Sequence, residues 1–381
     1  MRQAVSVNSI DSIIQIIASL QSRGDVYFPE GIFPSYRQNS YLRYRRPDNN
    51  IFYTATIVFV LNQLKSYLSA DNQAVIETIT AKAVNNYPAH QNKDGLSTYN
   101  FWQTPKDGRR SGHFSGGYVF HRMEHFRIPD DIDDTALVYL TQPANKKEAL
   151  WLKEKLQQHA NLSPGLARVR QIKNTFSHYK HLRGYSTWFG KNMGIEFDAC
   201  ALCNLMYLFE WHRLPYNEYD ADTYAYLSGI IEHNEYLSKP FVVARNYATA
   251  PLIIYHFARL LGDFEVPHLE AYRSKLIEDT LTLLEEHKWG MNRVILQTAL
   301  LRLSRKGHSG FEKAIERTLS EPRLDTTFEA PFYYFRAALL GAYENPVLRF
   351  LAPMAITHMY WECEAHELVL ILENLIERQR Y

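Results

Sequence analysis

The stretch IFYTATIVFVLNQL, residues 51–64, decides the fold. It holds no charged side chain, and wound at 3.6 residues per turn its apolar groups point in every direction. A helix apolar all round must be enclosed by other helices. The run is also too short for the ~20 residues of a membrane span, so the protein itself has to supply the enclosure. Five more segments read the same way: DDTALVYL (133–140), FDACALCNLMYLF (197–209), NYATAPLIIYHFARLL (246–261), NRVILQTALLRL (292–303) and FYYFRAALLGAY (332–343). Among them run segments with one charged face: SADNQAVIETITAKAV (69–84), NKKEALWLKEKLQQH (145–159), AYRSKLIEDTLTLLEEHK (271–288) and GFEKAIERTLSE (310–321).

This alternation predicts an all-α chain with an inner ring of enclosed helices wrapped by an outer ring. The expected architecture is a single α/α toroid of about six inner/outer helix pairs. Helical periodicity recurs at VNSIDSIIQIIASLQ (7–21) and ECEAHELVLILENLIERQ (362–379). No Pro/Gly/Ser-rich linker divides the chain, so one domain is expected over residues 1–381. A faint repeat agrees: Pro47, Asp48, Thr54 and Ala55 echo Pro129, Asp130, Thr135 and Ala136, and a further Thr-Ala stands at Thr249 and Ala250.

Forty-two Lys and Arg against 41 Asp and Glu leave a net charge of +1, which removes the electrostatic argument for a dedicated nucleic-acid or anionic-membrane partner. Three cysteines, Cys200, Cys203 and Cys363, fall in apolar helical patterns. Their odd number points to reduced, buried thiols and a cytoplasmic location. The first residues lack the apolar core and cleavage site of a secretory signal. A soluble protein without a membrane span is expected, and a homodimer is compatible with this reading.

Chemistry concentrates in RIPDDIDDTALVYL, residues 127–140, where four aspartates fall within five positions at the mouth of an enclosed helix. Carboxylates in a first helical turn are favoured by free N–H groups and the helix dipole, so an N-terminal cap accounts for some of them. Four so close cannot all ionise in a site poor in water, and at least one should keep its proton and serve as an acid. The preceding piece, residues 87–131, is long, irregular and rich in aromatics; it is expected to pack over this mouth.

The residues Asp131, Asp133, Asp134, Thr135 and Ala136 resemble the D-x-D-D-T-A motif of class II terpene cyclases, the family of squalene-hopene cyclases and copalyl diphosphate synthases. That resemblance implies an α/α toroid and protonation of an isoprenoid alkene or epoxide, with Asp133 as the acid, Asp131 and Asp134 tuning it, and no cofactor. The family pairs two toroids, whereas this chain supplies one, so a toroid kept as a non-catalytic binding or scaffold module is an alternative.

Two further readings use the same residues. Asp130, Asp131 and Asp134 satisfy D-D-x-x-D, the magnesium pattern of class I terpene synthases, with Glu278, Asp279, Thr282 and Glu286 as a loose second motif. An inverting glycosidase would need two carboxylates ~6.5–9.5 Å apart; Asp133 and Asp198 are candidates, with Trp102, Trp188 and Trp211 to stack a sugar. His113, His121, His125, His178 and His181 flank the inner segments, but H-x-x-x-H at His121 and His125 is too common a spacing to specify zinc. Arg43, Arg45, Arg46, Arg109 and Arg110 form two basic clusters suited to an anionic group or to solubility.

Overall fold

The computed structural model describes residues 9–92, 94–104, 128–164, 170–189, 193–305, 310–320, 332–340 and 345–381. The chain begins with α1 (Ile10–Leu20), β1 (Tyr36–Asn39), β2 (Tyr44–Pro47), α2 (Ile51–Leu64) and α3 (Ala70–Val84). Then follow β3 (Asp130–Asp131), α4 (Ile132–Thr141), α5 (Lys146–Gln157), β4 (Trp188–Phe189), α6 (Ala199–Trp211) and α7 (Glu218–Glu232). Two short turns of helix, α8 (Glu235–Ser238) and α9 (Pro240–Val243), lead to α10 (Ala250–Asp263), α11 (Pro267–Glu270), α12 (Arg273–Glu286), α13 (Met291–Ser304) and α14 (Glu312–Ser320). The last elements are β5 (Phe335–Ala338), α15 (Pro346–Leu351), β6 (His358–Glu362) and α16 (Glu364–Arg380).

The enclosed segments pack as their sequences require. Helix α2 lies against α4, α4 against α6, α6 against α10, α10 against α13, α13 against α16, and α16 back against α2. Nearly every residue of α2, α6 and α13 is buried. The amphipathic helices cover this cycle from outside: α3 packs on α2, α7 on α6, α12 on α13 and α10, α14 on α13, and α1 on α16 and α3. No described helix is long and apolar enough to cross a membrane.

The chain is mostly helical, as expected, and also carries small sheets: an antiparallel sheet has strand order β2-β1-β6-β5, and β3 pairs with β4. One expectation is corrected. The segment 332–343 is not an inner helix. Its residues 335–338 form β5, pairing Phe335 with Trp361 and Ala338 with His358. Its aromatic and β-favouring residues fit a pleated, half-buried surface, and α16 takes the place expected of it in the cycle.

The strands sit where inner helices begin: β2 runs into α2, β3 into α4 and β6 into α16. The Pro-Asp…Thr-Ala echo is an echo of structure too. Thr54 and Thr135 occupy the same position of α2 and α4, and each Oγ1 accepts a backbone N–H from an incoming loop, Phe33 at 3.1 Å and Tyr99 at 3.0 Å. Asp48 and Asp130 anchor one cover segment. Asp48 Oδ1 accepts from Trp102 Nε1 at 3.1 Å, and Asp130 accepts from Asn92 (2.7 Å), Thr98 (2.5 Å) and Asn100 (3.4 Å). Thr249 departs from the pattern, its buried Oγ1 having no partner among the described residues.

The opposite end of the cycle is closed by charge. Arg302 of α13 bonds Glu373 of α16 through Nε at 2.8 Å and meets Asp263 of α10 at 3.3 Å. Tyr255 gives its hydroxyl to Glu373 at 2.6 Å, and Tyr207 of α6 gives its own to Asp263 at 2.8 Å.

Candidate functional site

The site is built on the first turn of α4, the first two turns of α6, the segment leading into α10 and the body of α10. Asp131 is the N-cap of α4: its Oδ1 accepts the N–H groups of Asp133 at 3.0 Å and Asp134 at 2.8 Å, filling orphan donors of the first turn. Asp198 caps α6 in the same way, accepting from Cys200 at 3.0 Å, while its other oxygen accepts the N–H of Asn246 at 2.9 Å. Capping therefore accounts for these two positions. It does not account for Asp133 or Asp134, which are equally buried inside the helix.

Asp133 faces across the cycle. Its Oδ1 accepts from Asn204 Nδ2 of α6 at 2.5 Å, and its Oδ2 accepts the hydroxyl of Tyr247. Asn204 in turn accepts from the Arg259 guanidinium of α10, which also lies over the Phe59 and Tyr255 rings at 5.0 and 5.5 Å. Asp134 has the opposite circumstance: its Oδ1 is buried with no hydrogen-bond partner among the described residues.

These surroundings sort the carboxyls. Burial holds Asp134 well above the ordinary carboxylate range, and the charge of Asp131 and a hydrogen bond to it add to the rise. Burial also pushes Asp131 up to about 7, against the hydrogen bonds it receives from Asp134. Asp133 is raised by burial, but the bonds from Tyr247 and Asn204 and the charge of Arg259 pull it back. Asp198 is pushed up to about 7 by burial and by the charge of Glu196. Neutral carboxyls near pH 7 are thus built into the site, by desolvation first and like charge second.

Tyr247 ties the carboxylates to an aromatic cluster. Its ring centroid lies 4.8 Å from His256, 5.6 Å from Tyr334, 5.8 Å from Phe335 and 6.1 Å from Phe52. His366 stands 4.4 Å from Tyr334 with neither ring nitrogen hydrogen-bonded among the described residues. Burial, then the Arg259 charge, lowers His366 to about 3 and holds His256 well below its usual value. Both imidazoles are neutral at physiological pH.

Beside the carboxylates, Glu196 pairs with Arg245 at 2.7 Å and accepts from Trp188 Nε1 at 3.1 Å. Sequence reasoning passed over Asn204, Tyr247, Arg259 and the Glu196–Arg245 pair. A signal existed for two of them: Asn204 and Arg259 are polar residues inside helices otherwise apolar on every face.

Other candidates do not gather here. Asp130 is taken by Asn92, Thr98 and Asn100, and Asp279 on the outer helix α12 by Lys275 at 2.8 Å and by Tyr236. No group of three or more His, Cys, Asp or Glu side chains among the described residues is arranged to hold a metal ion. Of the three tryptophans, Trp102 is buried against Asp48, and Trp188 bonds Glu196. Trp211 is exposed at the far end of α6, so they do not form one stacking surface. His178 meets Glu235 at 3.1 Å, away from the cluster. His113, His121, His125, Arg109 and Arg110 lie outside the described residues, as does much of the expected cover; its described part, with Tyr99, Phe101 and Trp102 buried, packs at the carboxylate end. No protein-family model, curated protein or solved structure matches the chain.

Proposed function

We propose that the chain is one α/α toroid of six inner/outer helix pairs, and that the carboxylates at its mouth form an acid site for protonation-initiated cyclisation of an isoprenoid, similar to class II terpene cyclases. The cyclic packing of α2, α4, α6, α10, α13 and α16 supports the toroid. The observation that carries the chemistry is the Tyr247–Asp133 hydrogen bond, which joins a buried acid to a cluster of aromatic faces. Asp133 is the proton donor in this reading. Burial raises it towards the protonated form, and two hydrogen bonds and the nearby Arg259 charge stabilise the base it leaves on giving up its proton. A carbocation formed next to it would meet the ring faces of Phe52, Tyr247, Tyr334 and Phe335, and neutral His256 and His366 would not repel it. The free thiols of Cys200, Cys203 and Cys363 fit a reducing, cytoplasmic setting.

The test is turnover of linear polyprenyl substrates by the wild type and by Asp133→Asn, with products identified by mass spectrometry. Metal-independent cyclisation that disappears in the variant is expected. A second reading, a non-catalytic toroid, draws on the packing of Tyr334 and Phe335 against Phe52 and Tyr247. Absence of turnover on every linear isoprenoid would favour it, and turnover surviving in Asp133→Asn would remove Asp133 as the acid.

A further inference from the structure

Six apolar side chains stand exposed on two adjoining loops: Tyr41 and Leu42 between β1 and β2, and Val347, Phe350, Met354 and Ile356 between the start of α15 and β6. Phe350 is 83% exposed, Val347 and Tyr41 65% each, and Leu42 55%. The loops meet at Asn39. Its Nδ2 donates to the carbonyls of Ile356 at 2.9 Å and His358 at 2.7 Å, and its Oδ1 accepts the N–H of Leu42 at 3.0 Å.

Single exposed apolar residues need no explanation, but a shared patch of them does. The two stretches, residues 40–46 and 345–357, also contain Arg43, Arg45, Arg46 and Arg349 and not one acidic residue. Arg45 is matched by Glu362 at 2.7 Å from outside both stretches, and Arg43, Arg46 and Arg349 are exposed. On a chain whose net charge is only +1, this is a local surplus of one sign around apolar tips. Apolar groups of this kind enter the acyl boundary of a bilayer while guanidinium groups reach the phosphates. An excess of exposed charge of one sign matches a uniformly anionic surface better than the mixed charge of a protein face.

We propose that this rim, formed by the β1–β2 turn and the residue 345–357 loop, docks the protein peripherally on an anionic lipid bilayer. The docked sheet is the one whose Trp361 packs on Phe101 and Phe335 at the end where α2 and α16 begin, so the mouth of the helical cycle faces the lipid. The proposal holds whether or not the carboxylates act as an acid.

Co-sedimentation of the full chain with phosphatidylcholine vesicles, with and without phosphatidylglycerol, tests it. The wild type should pellet with the anionic vesicles and be released by salt. Leu42→Asp with Phe350→Asp should weaken binding at least about ten-fold, and Arg43→Gln with Arg46→Gln should weaken it and flatten the salt dependence. All these side chains are exposed, so unchanged melting checks the fold. Tyr41→Trp gives a second readout, a blue shift of fluorescence on adding anionic vesicles. Wild type that stays in the supernatant, or a double aspartate variant that pellets equally, overturns the proposal. So does concentration-dependent self-association without vesicles that Phe350→Asp abolishes, which would assign the surface to a second copy.

Discussion

Asp134 offers a test of the acid cluster that needs no substrate. Its carboxyl is held well above the ordinary range by burial and then by Asp131, and its Oδ1 has no partner among the described residues. The folded chain therefore keeps a proton that the unfolded chain, titrating near ~4, has released. A group whose folded pKa is raised contributes stability below its unfolded value, and that contribution is lost as pH rises through the folded one. One retained proton costs about 1.4 kcal/mol per pH unit inside that window. Asp134→Asn keeps the shape and the neutral state, can still donate to Asp131, and has no proton to lose. Denaturant unfolding of both chains across that window at constant ionic strength gives a difference in which groups away from the cluster largely cancel and Asp131, bonded to Asp134, responds with it. As pH rises from the unfolded value towards the raised folded one, that difference should move in favour of the variant by about 1.4 kcal/mol for each pH unit. Parallel stability curves would mean that Asp134 titrates as a solvated carboxyl and stores no proton.

Two further outcomes follow from the packing. Arg302→Met strands Glu373, which is fully buried and left with the Tyr255 hydroxyl, so unfolding should become easier by about 3–5 kcal/mol. Adding Glu373→Met should recover much of that loss, and a double variant no more stable than the single would contradict the account. Asp130→Ala releases Asn92, Thr98 and Asn100 together; amide exchange over residues 92–102 should quicken at a cost of about 2–3 kcal/mol, while exchange in α12 stays unchanged.

Five of the six helices in the cycle were legible because an all-apolar face has only one physical solution, enclosure. The sixth, α16, was not. It carries Glu373 and Glu377 at buried positions, and these are acceptable only because Arg302 and Arg305 approach from α13 and its C-terminal end, a pairing across about 70 residues that periodicity does not register. Segment 332–343 failed for the complementary reason. Apolar content alone does not separate a short buried strand from a helix, and its strand partner β6 lies about twenty residues on, past an intervening helix. At the site, Asp131, Asp133, Asp134 and Asp198 could be named because caps and acid clusters are local. Tyr247 and Arg259 could not be assigned roles, since those come from α10 and the segment before it, more than a hundred positions from Asp133.

The closure of the cycle by α16 also sets the order of events in synthesis. The Tyr53 hydroxyl bonds the Trp361 carbonyl across 308 positions, and Gln38 bonds Glu362 across 324. Helices α2 through α13 can pair in turn as they emerge, each with a neighbour already made. Until α16 leaves the ribosome, α2 presents its remaining apolar face to water, and the cycle of helices is an open arc with two apolar edges. Closing it demands contacts between residues about 300 positions apart, the kind that form slowly. The nascent protein is therefore most exposed to aggregation while α13 is made and α16 is still missing, and a chaperone that shields the open arc would act on residues 51–64 and on α13.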